Sequence, residues 1–164
     1  LTVTPNMDWN KLNVRAGRNS ETWTLDGELL NNLSYYGGVQ NDRPIFNEID
    51  RRNRPLPRFQ STMLPSDIPV LFESSYRIAR GAAIFSIDSQ EPTTFAGASG
   101  VRFTYSFVDS DDIRRQGEAQ GSIVGGKLYL IAFEAPAIHF FAQGVDAYRS
   151  IAATAQIVAS GRHR

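Results

Sequence analysis

The sequence predicts an α+β fold in which an antiparallel sheet is flanked by helices, and three observations predict it. Gly125-Gly126 separates two runs of strand-like residues, and a Gly-Gly pair supplies the positive φ of a two-residue hairpin turn. Residues 101–108 alternate between apolar and polar side chains, as a half-buried strand does. Residues 66–80 and 145–155 place apolar side chains at helical spacing.

Length and composition indicate one globular domain spanning residues 1–164. Hydrophobic residues make up 41% and charged residues 21%, which is typical of a folded chain rather than a disordered one. Seventeen basic residues balance seventeen acidic ones, so general nucleic-acid binding lacks its main electrostatic term. No run of about 18 apolar residues occurs, so we expect no transmembrane segment.

The sequence pattern of the N-terminal quarter of the chain predicts short strands. Residues 1–8 contain Pro5 and have no periodicity, so we expect an extended arm. Residues 9–39 predict a small antiparallel meander with a turn at Asp26-Gly27. At the other end of the chain, residues 159–164 predict a disordered tail.

Residues 66–80 predict the first helix. Ser66 is a candidate N-cap, and Gly81 is the expected left-handed residue that ends the helix. Glu73 and Arg77 stand four residues apart and predict a surface ion pair. After the helix, residues 83–87 predict a strand, residues 89–92 a polar stretch and residues 96–100 a glycine-rich bend.

The central hairpin can be put in register from its turn. If Gly125-Gly126 is the turn, then Gly121 faces Leu130 and Ala119 faces Ala132, and these small residues leave a shallow trough for a helix. The opposite face is half polar, so we expect it to be covered only in part or to meet a partner. That face carries Tyr129, Ile131 and Phe133 opposite Ser122, Gln120 and Glu118.

Residues 40–65 form a long connection without a clear secondary structure. Its four prolines, five arginines and three acids (Asp42, Glu48 and Asp50) give it a local charge of +2. Such loops are often functional, so two interpretations stay open: a solvated surface loop, or a docking arm whose arginines bind carboxylates or phosphates on a partner. We expect four apolar residues to pin it to the body: Ile45, Phe46, Ile49 and Leu56. The candidate partner-binding residues are Arg43, Arg51, Arg52, Arg54, Arg58, Tyr35 and Tyr36.

Catalytic and metal motifs are not evident in the sequence. Without cysteine there is no disulfide, thiolate nucleophile or cysteine-ligated zinc. His139 has no evident nucleophile or orienting acid beside it, and His163 lies in the tail. The acidic turn at residues 109–112 has Gln120 where a calcium loop needs its twelfth-position Glu. We therefore expect no catalytic residue, no metal and no cofactor.

Three segments carry a resemblance to a known arrangement: TWTLDGELL at residues 22–30, GGKLYLIAFEAP at 125–136 and DAYRSIAATA at 146–155. The order of elements around them resembles the PsbP-like α/β/α sandwich, and it is also similar to small processed lipoproteins of the bacterial envelope. Both resemblances imply a non-enzymatic accessory or assembly subunit on a larger protein complex. We expect that complex to be membrane-associated. The two resemblances imply a periplasmic or envelope location, and they carry over no binding residue.

The first residue of the chain adds an expectation about processing. The sequence begins at Leu1 rather than at Met, so two interpretations stay open: a processed protein that has lost a targeting segment, or a chain that was trimmed. A lipid-bearing Cys just before Leu1 is a separate conjecture.

Two other functions remain as alternatives. One is a small-molecule carrier with an apolar pocket between sheet and helix, lined by Phe103, Tyr105, Phe107 and Tyr129. The other, ranked last, is a hydrolase that uses His139.

Overall fold

A computed structural model of the chain describes residues 1–5, 9–12, 20–24, 32–48, 50–82, 84–109, 111–138 and 141–157. These residues contain seven strands and two α-helices. In chain order the elements are β1 (Asn10–Lys11), β2 (Ser20–Thr24), β3 (Asn32–Val39), α1 (Ile68–Arg80), β4 (Ile84–Phe95), β5 (Ala98–Val108), β6 (Arg114–Val124), β7 (Lys127–Pro136) and α2 (Phe141–Ala153).

The seven strands form one antiparallel sheet in the order β1-β2-β3-β7-β6-β5-β4. The predicted hairpin register is confirmed, since Gly121 pairs with Leu130 and Ala119 with Ala132. Gly125 and Gly126 have φ values of 59° and 73°, which is the left-handed region that a Gly-Gly turn was expected to supply.

The first face of the sheet packs against α1. Leu128, Leu130 and Ala132 of β7 share a core cluster with residues of α1, including Ile68 and Phe72. A Cβ added at Gly121 would lie 2.9 Å from Leu130 Cδ1 and 3.5 Å from Ile68 Cδ1. The trough predicted from the small residues of β6 therefore exists, and the start of α1 lies over it.

The second face of the sheet packs against α2, and here one expectation was wrong. We expected this half-polar face to be only partly covered, but its polar residues Glu118, Gln120 and Ser122 are buried. Glu118 is 1% exposed, and Arg149 of α2 binds its carboxylate through two nitrogens, Nε and Nη2, each at 2.9 Å. A fork-shaped pair of this kind compensates the desolvation of the carboxylate, so a polar strand position can lie under a helix.

The two helices begin at residues other than the expected ones. A single 3₁₀ turn, Pro65–Asp67, precedes α1, so Asp67 and not Ser66 is the N-cap. Gly81 ends α1 with φ 62°, and Arg77 bonds Glu73 at 3.1 Å, which confirms both predictions. α2 starts four residues before the expected position, because a glycine in its first turn hides the helical pattern.

Strand β4 is longer than the sequence indicated. The polar stretch at 89–92 lies within it, and the bend expected at 96–100 is a tight turn at Ala96-Gly97 followed by β5. Pro92 is tolerated because β4 is an edge strand, where a missing N–H can face away from the sheet.

The N-terminal meander is confirmed where it is described, as β1, β2 and β3. The expected turn at Asp26-Gly27 and the tail at 159–164 lie outside the described residues. The arm at residues 1–5 is tied to the end of the chain, because Thr2 and Gln156 exchange two backbone hydrogen bonds of 2.7 and 2.9 Å.

Candidate functional site

The arginine-rich connection is folded into a closed loop. Its two ends pair like short strands, with Phe59 N donating to Arg43 O at 2.8 Å and Asp42 N donating to Phe59 O at 2.7 Å. The Asn41 side chain adds a third link by accepting from Ser61 N at 2.8 Å. This is the geometry of an Ω-loop, whose ends are close and whose body packs on its own side chains.

Apolar residues fix the loop in the first core cluster, as predicted for Ile45, Phe46 and Leu56. The ring of Phe46 packs edge-on against Tyr36 of β3 at 5.9 Å and Tyr76 of α1 at 5.8 Å. The fourth expected anchor, Ile49, lies outside the described residues. Because the loop is anchored in the core, its exposed side chains are held at defined positions.

A half-buried clasp closes the middle of the loop. Glu48 accepts from Leu56 N and from Arg58 Nη2, both at 3.0 Å. Arg58 also donates through Nη1 to Asp42 O at 2.9 Å. The charges of Glu48 and Arg58 therefore compensate each other inside the loop.

A tight turn carries the arginine cluster. Asp50 accepts from Asn53 N at 3.2 Å and from Asn53 Nδ2 at 3.0 Å, while Arg54 N donates to Asp50 O at 2.8 Å. The backbone hydrogen bond from Asn53 holds the pKa of Asp50 below its usual value, so the turn is formed at neutral pH. It leaves Arg51, Arg52 and Arg54 exposed.

Between the loop and the end of β3 lies a cleft of about 350 Å³, called the loop cleft below. Its apolar lining comes from Tyr36, Val39, Ile45 and Phe46. Its charged lining comes from Arg43, Arg51, Arg58 and Glu48. Three arginines against one glutamate leave a net charge of +2. Among the described residues, neither Arg43 nor Arg51 forms an ion pair, so both guanidinium groups are available to a ligand.

The structure brings four of the seven predicted site residues to this cleft: Arg43, Arg51, Arg58 and Tyr36. It separates the other three. Arg54 lines a neighbouring groove of about 220 Å³ beside Ile78 and Ala79 of α1. Arg52 is exposed outside both lining sets, and Tyr35 packs against Trp23 with their ring centroids 5.2 Å apart.

Two of the predicted contact residues need correction. Tyr36 is 4% exposed, so it forms part of the floor and is not an exposed anchor. Arg58 is already bound by Glu48, so its charge is compensated within the loop. No pattern in the sequence marks Glu48 and Gln40 as lining residues, because only the closure of the loop brings them to the cleft.

A second polar group lies on the first face, outside the cleft. Tyr105, Gly117 and Glu134 stand in one row across β5, β6 and β7. Because Gly117 has no side chain, the Tyr105 ring lies over it, and the Tyr105 hydroxyl donates to Glu134 Oε2 at 2.8 Å. Tyr76 of α1 donates to the same oxygen at 2.5 Å.

The protonation states of this row follow from burial. Burial is the largest cause that raises the pKa of the Tyr76 and Tyr105 hydroxyls, and the negative charge of Glu134 is the next. Both hydroxyls therefore stay protonated and act as donors. The hairpin carries two glutamates, and the predicted register places them on opposite faces of the sheet. Glu134 lies on the first face, while Glu118 lies on the second face and binds Arg149, so the two do not form a carboxylate pair.

The carrier pocket expected from the sequence is not formed by its four residues. Phe103, Tyr105 and Phe107 are at most 1% exposed and pack against aromatic rings of α1 and β4, while Tyr129 belongs to the cluster on the other face. The hydrolase candidate, His139, lies outside the described residues.

Within the part of the chain that the structure describes, no three His, Asp or Glu side chains gather as a metal site. In the acidic turn, Arg115 binds Asp111 at 2.9 Å and lies 3.6 Å from Asp109. The described helices also include none long and apolar enough to cross a membrane.

The single antiparallel sheet with its two helices defines a PsbP-like α+β fold. The chain is similar to the solution structure of cyanobacterial PsbP, called CyanoP, from Synechocystis, with a TM-score of 0.58 and 15% identity over 89% of this chain and 79% of that one. It also matches LpqN, described as involved in cell envelope biogenesis of Mycobacterium tuberculosis, with a TM-score of 0.44 and 12% identity over 96% and 83% of the two chains. No sequence-family model matches the chain, and no curated protein does.

Proposed function

We propose that this protein is a non-enzymatic accessory or assembly subunit that docks on a larger, membrane-associated protein complex through its arginine-rich loop. The observation that carries the proposal is the loop cleft, in which Arg43 and Arg51 have no ion-pair partner among the described residues. Arginine is enriched at the energetically important positions of protein interfaces, where its planar group binds carboxylates through two hydrogen bonds.

The rigidity of the loop supports docking rather than a merely solvated surface. Ordering a mobile segment on binding costs free energy for each side chain that is immobilised. Here that cost is already met in the free protein by the core anchors, by the Glu48 clasp and by the bridge between Arg43 and Phe59. The loop is therefore preorganised to present its arginines.

The likeness to CyanoP supports the next part of the proposal, which is that the sheet and its two helices form an α/β/α sandwich. The last part, a location in the bacterial periplasm or envelope, rests on the resemblance of the sequence to PsbP-like proteins and to envelope lipoproteins. The alternation of β7 residues between the two core clusters also supports the sandwich, because successive side chains of a strand point to opposite faces.

Reversing Arg51, Arg52 and Arg54 to Glu is expected to abolish association with the complex and to leave the fold intact, because these side chains are exposed. The measurement is stoichiometric co-purification of the tagged chain from its native source. A control with Arg114→Glu and Lys127→Glu reverses exposed charges on β6 and β7 and should co-purify normally. Undiminished co-purification of the loop variant, with an unchanged melting temperature, would refute docking through this loop.

A further inference from the structure

We infer that the occupant of the loop cleft is an extended acidic segment of a protein, which places a carboxylate between Arg43 and Arg51 and an apolar side chain on the cleft floor. This inference rests on the proposed docking function and names the chemistry of the partner. It assigns different roles to arginines that lie within a few residues of each other.

The cleft already binds one carboxylate, which belongs to the chain itself. Arg58 Nη2 bonds Glu48 Oε1 at 3.0 Å, and a backbone N–H from Leu56 satisfies the other oxygen at the same distance. This internal pair fills one of the three guanidinium positions. Arg43 and Arg51 offer the same donors to a carboxylate from outside.

The lining favours a carboxylate over a phosphate. The net charge of +2 attracts both kinds of anion, so the choice between them rests on the apolar part of the lining. The apolar lining from Val39, Ile45 and Phe46 offers a phosphate nothing to bind. It fits the aliphatic or aromatic side chain that a peptide can place beside its acidic residue.

The size of the cleft favours an extended segment. Its volume of about 350 Å³ is at the small end of the usual range for ligand pockets, roughly 300–1,000 Å³. A few side chains of an extended segment fill such a volume, while a folded surface would rest on the loop without entering it.

Arg52 and Arg54 provide a matched control because they are exposed in the same turn but do not line the cleft. Two double variants change the net charge by the same amount. One is Arg43→Glu with Arg51→Glu, and the other is Arg52→Glu with Arg54→Glu. Long-range electrostatic steering is weakened about equally by both pairs. Loss of a bound carboxylate is expected only for the pair that lines the cleft.

Selection from a library of random displayed dodecapeptides against the intact protein tests the inference. We expect enrichment of Asp or Glu next to an apolar residue, with at least tenfold weaker binding to the Arg43→Glu, Arg51→Glu variant and less than threefold loss for the Arg52→Glu, Arg54→Glu variant. Affinities in chloride and phosphate buffers of equal ionic strength should agree. No enrichment, enrichment of neutral or basic peptides, equal loss in both variants, or a loss specific to phosphate would each overturn it.

The outcomes separate this inference from the docking proposal. Suppose that reversing Arg51, Arg52 and Arg54 abolishes co-purification but that no acidic peptide is selected. The docking proposal then stands, and the inference about the occupant of the cleft is wrong. If acidic peptides bind through Arg43 and Arg51 but co-purification survives loop reversal, the inference stands and the docking proposal fails.

Discussion

Gly117→Ala is expected to destabilise the fold by about 3–5 kcal/mol, which for 164 residues lowers the melting temperature by roughly 10 °C. The added Cβ would lie 2.1 Å from Cζ of Tyr105. That ring cannot move aside easily, because Phe85 and Phe107 stack on it with centroids 5.4 and 6.1 Å away. Displacing the ring also breaks its charge-assisted hydrogen bond to Glu134. Thermal and denaturant unfolding measure the loss.

A double-mutant cycle with Tyr105→Leu provides the control. Removing the ring makes room for the methyl group that Gly117→Ala adds, so the two changes together should cost at least about 1 kcal/mol less than the sum of the single changes. Additive effects, or a Gly117→Ala protein as stable as the wild type, would show that the ring does not lie over the glycine.

Glu134→Leu is expected to cost about 3 kcal/mol, because the hydroxyls of Tyr76 and Tyr105 lose their shared acceptor while they remain buried. Arg80, whose Nη1 lies 3.8 Å from Glu134 Oε1, also loses an ion-pair partner, but its partly exposed side chain can turn to water. Chemical denaturation monitored by tyrosine fluorescence measures the change.

Two further variants control for the loss of the carboxylate. Glu134→Gln keeps an oxygen that can accept from both hydroxyls but loses the negative charge, so it should lose about half as much stability as Glu134→Leu. The triple variant Glu134→Leu, Tyr76→Phe, Tyr105→Phe removes the orphaned hydroxyls and should recover part of the loss. A Glu134→Leu protein with wild-type stability would mean that the tyrosine hydroxyls find other acceptors.

The parts of the fold that the sequence predicted are those set by local patterns. The Gly-Gly turn fixed the register of β6 and β7, and Gly81 marked the end of α1. The parts that it did not predict depend on distant partners. β4 lacks an alternating pattern because it is an edge strand, and the burial of Glu118 required knowing that Arg149 of α2 lies above it.

The candidate site was predicted in the same partial way. Composition pointed to residues 40–65 and to their arginines, and four of the seven chosen residues line the loop cleft. Which arginines share the cleft depends on the pairing of Arg43 with Phe59 and on the turn held by Asp50. Neither feature leaves a periodic signal in the sequence. The Tyr105–Gly117–Glu134 row was missed because it needs the register of three strands at once.

Site-specific photo-crosslinking in the native source tests docking through the loop cleft most directly. In the test variant, a crosslinking amino acid replaces Gln40, an exposed residue of the cleft lining. In the control variant, it replaces Thr94, an exposed residue on β4, which is an edge strand of the sheet. Docking through the cleft predicts crosslinks from position 40 to one acidic segment of a single protein of the complex, lost when Arg43 and Arg51 are reversed. Crosslinks to the complex from position 94 alone, or from position 40 regardless of those arginines, would contradict it.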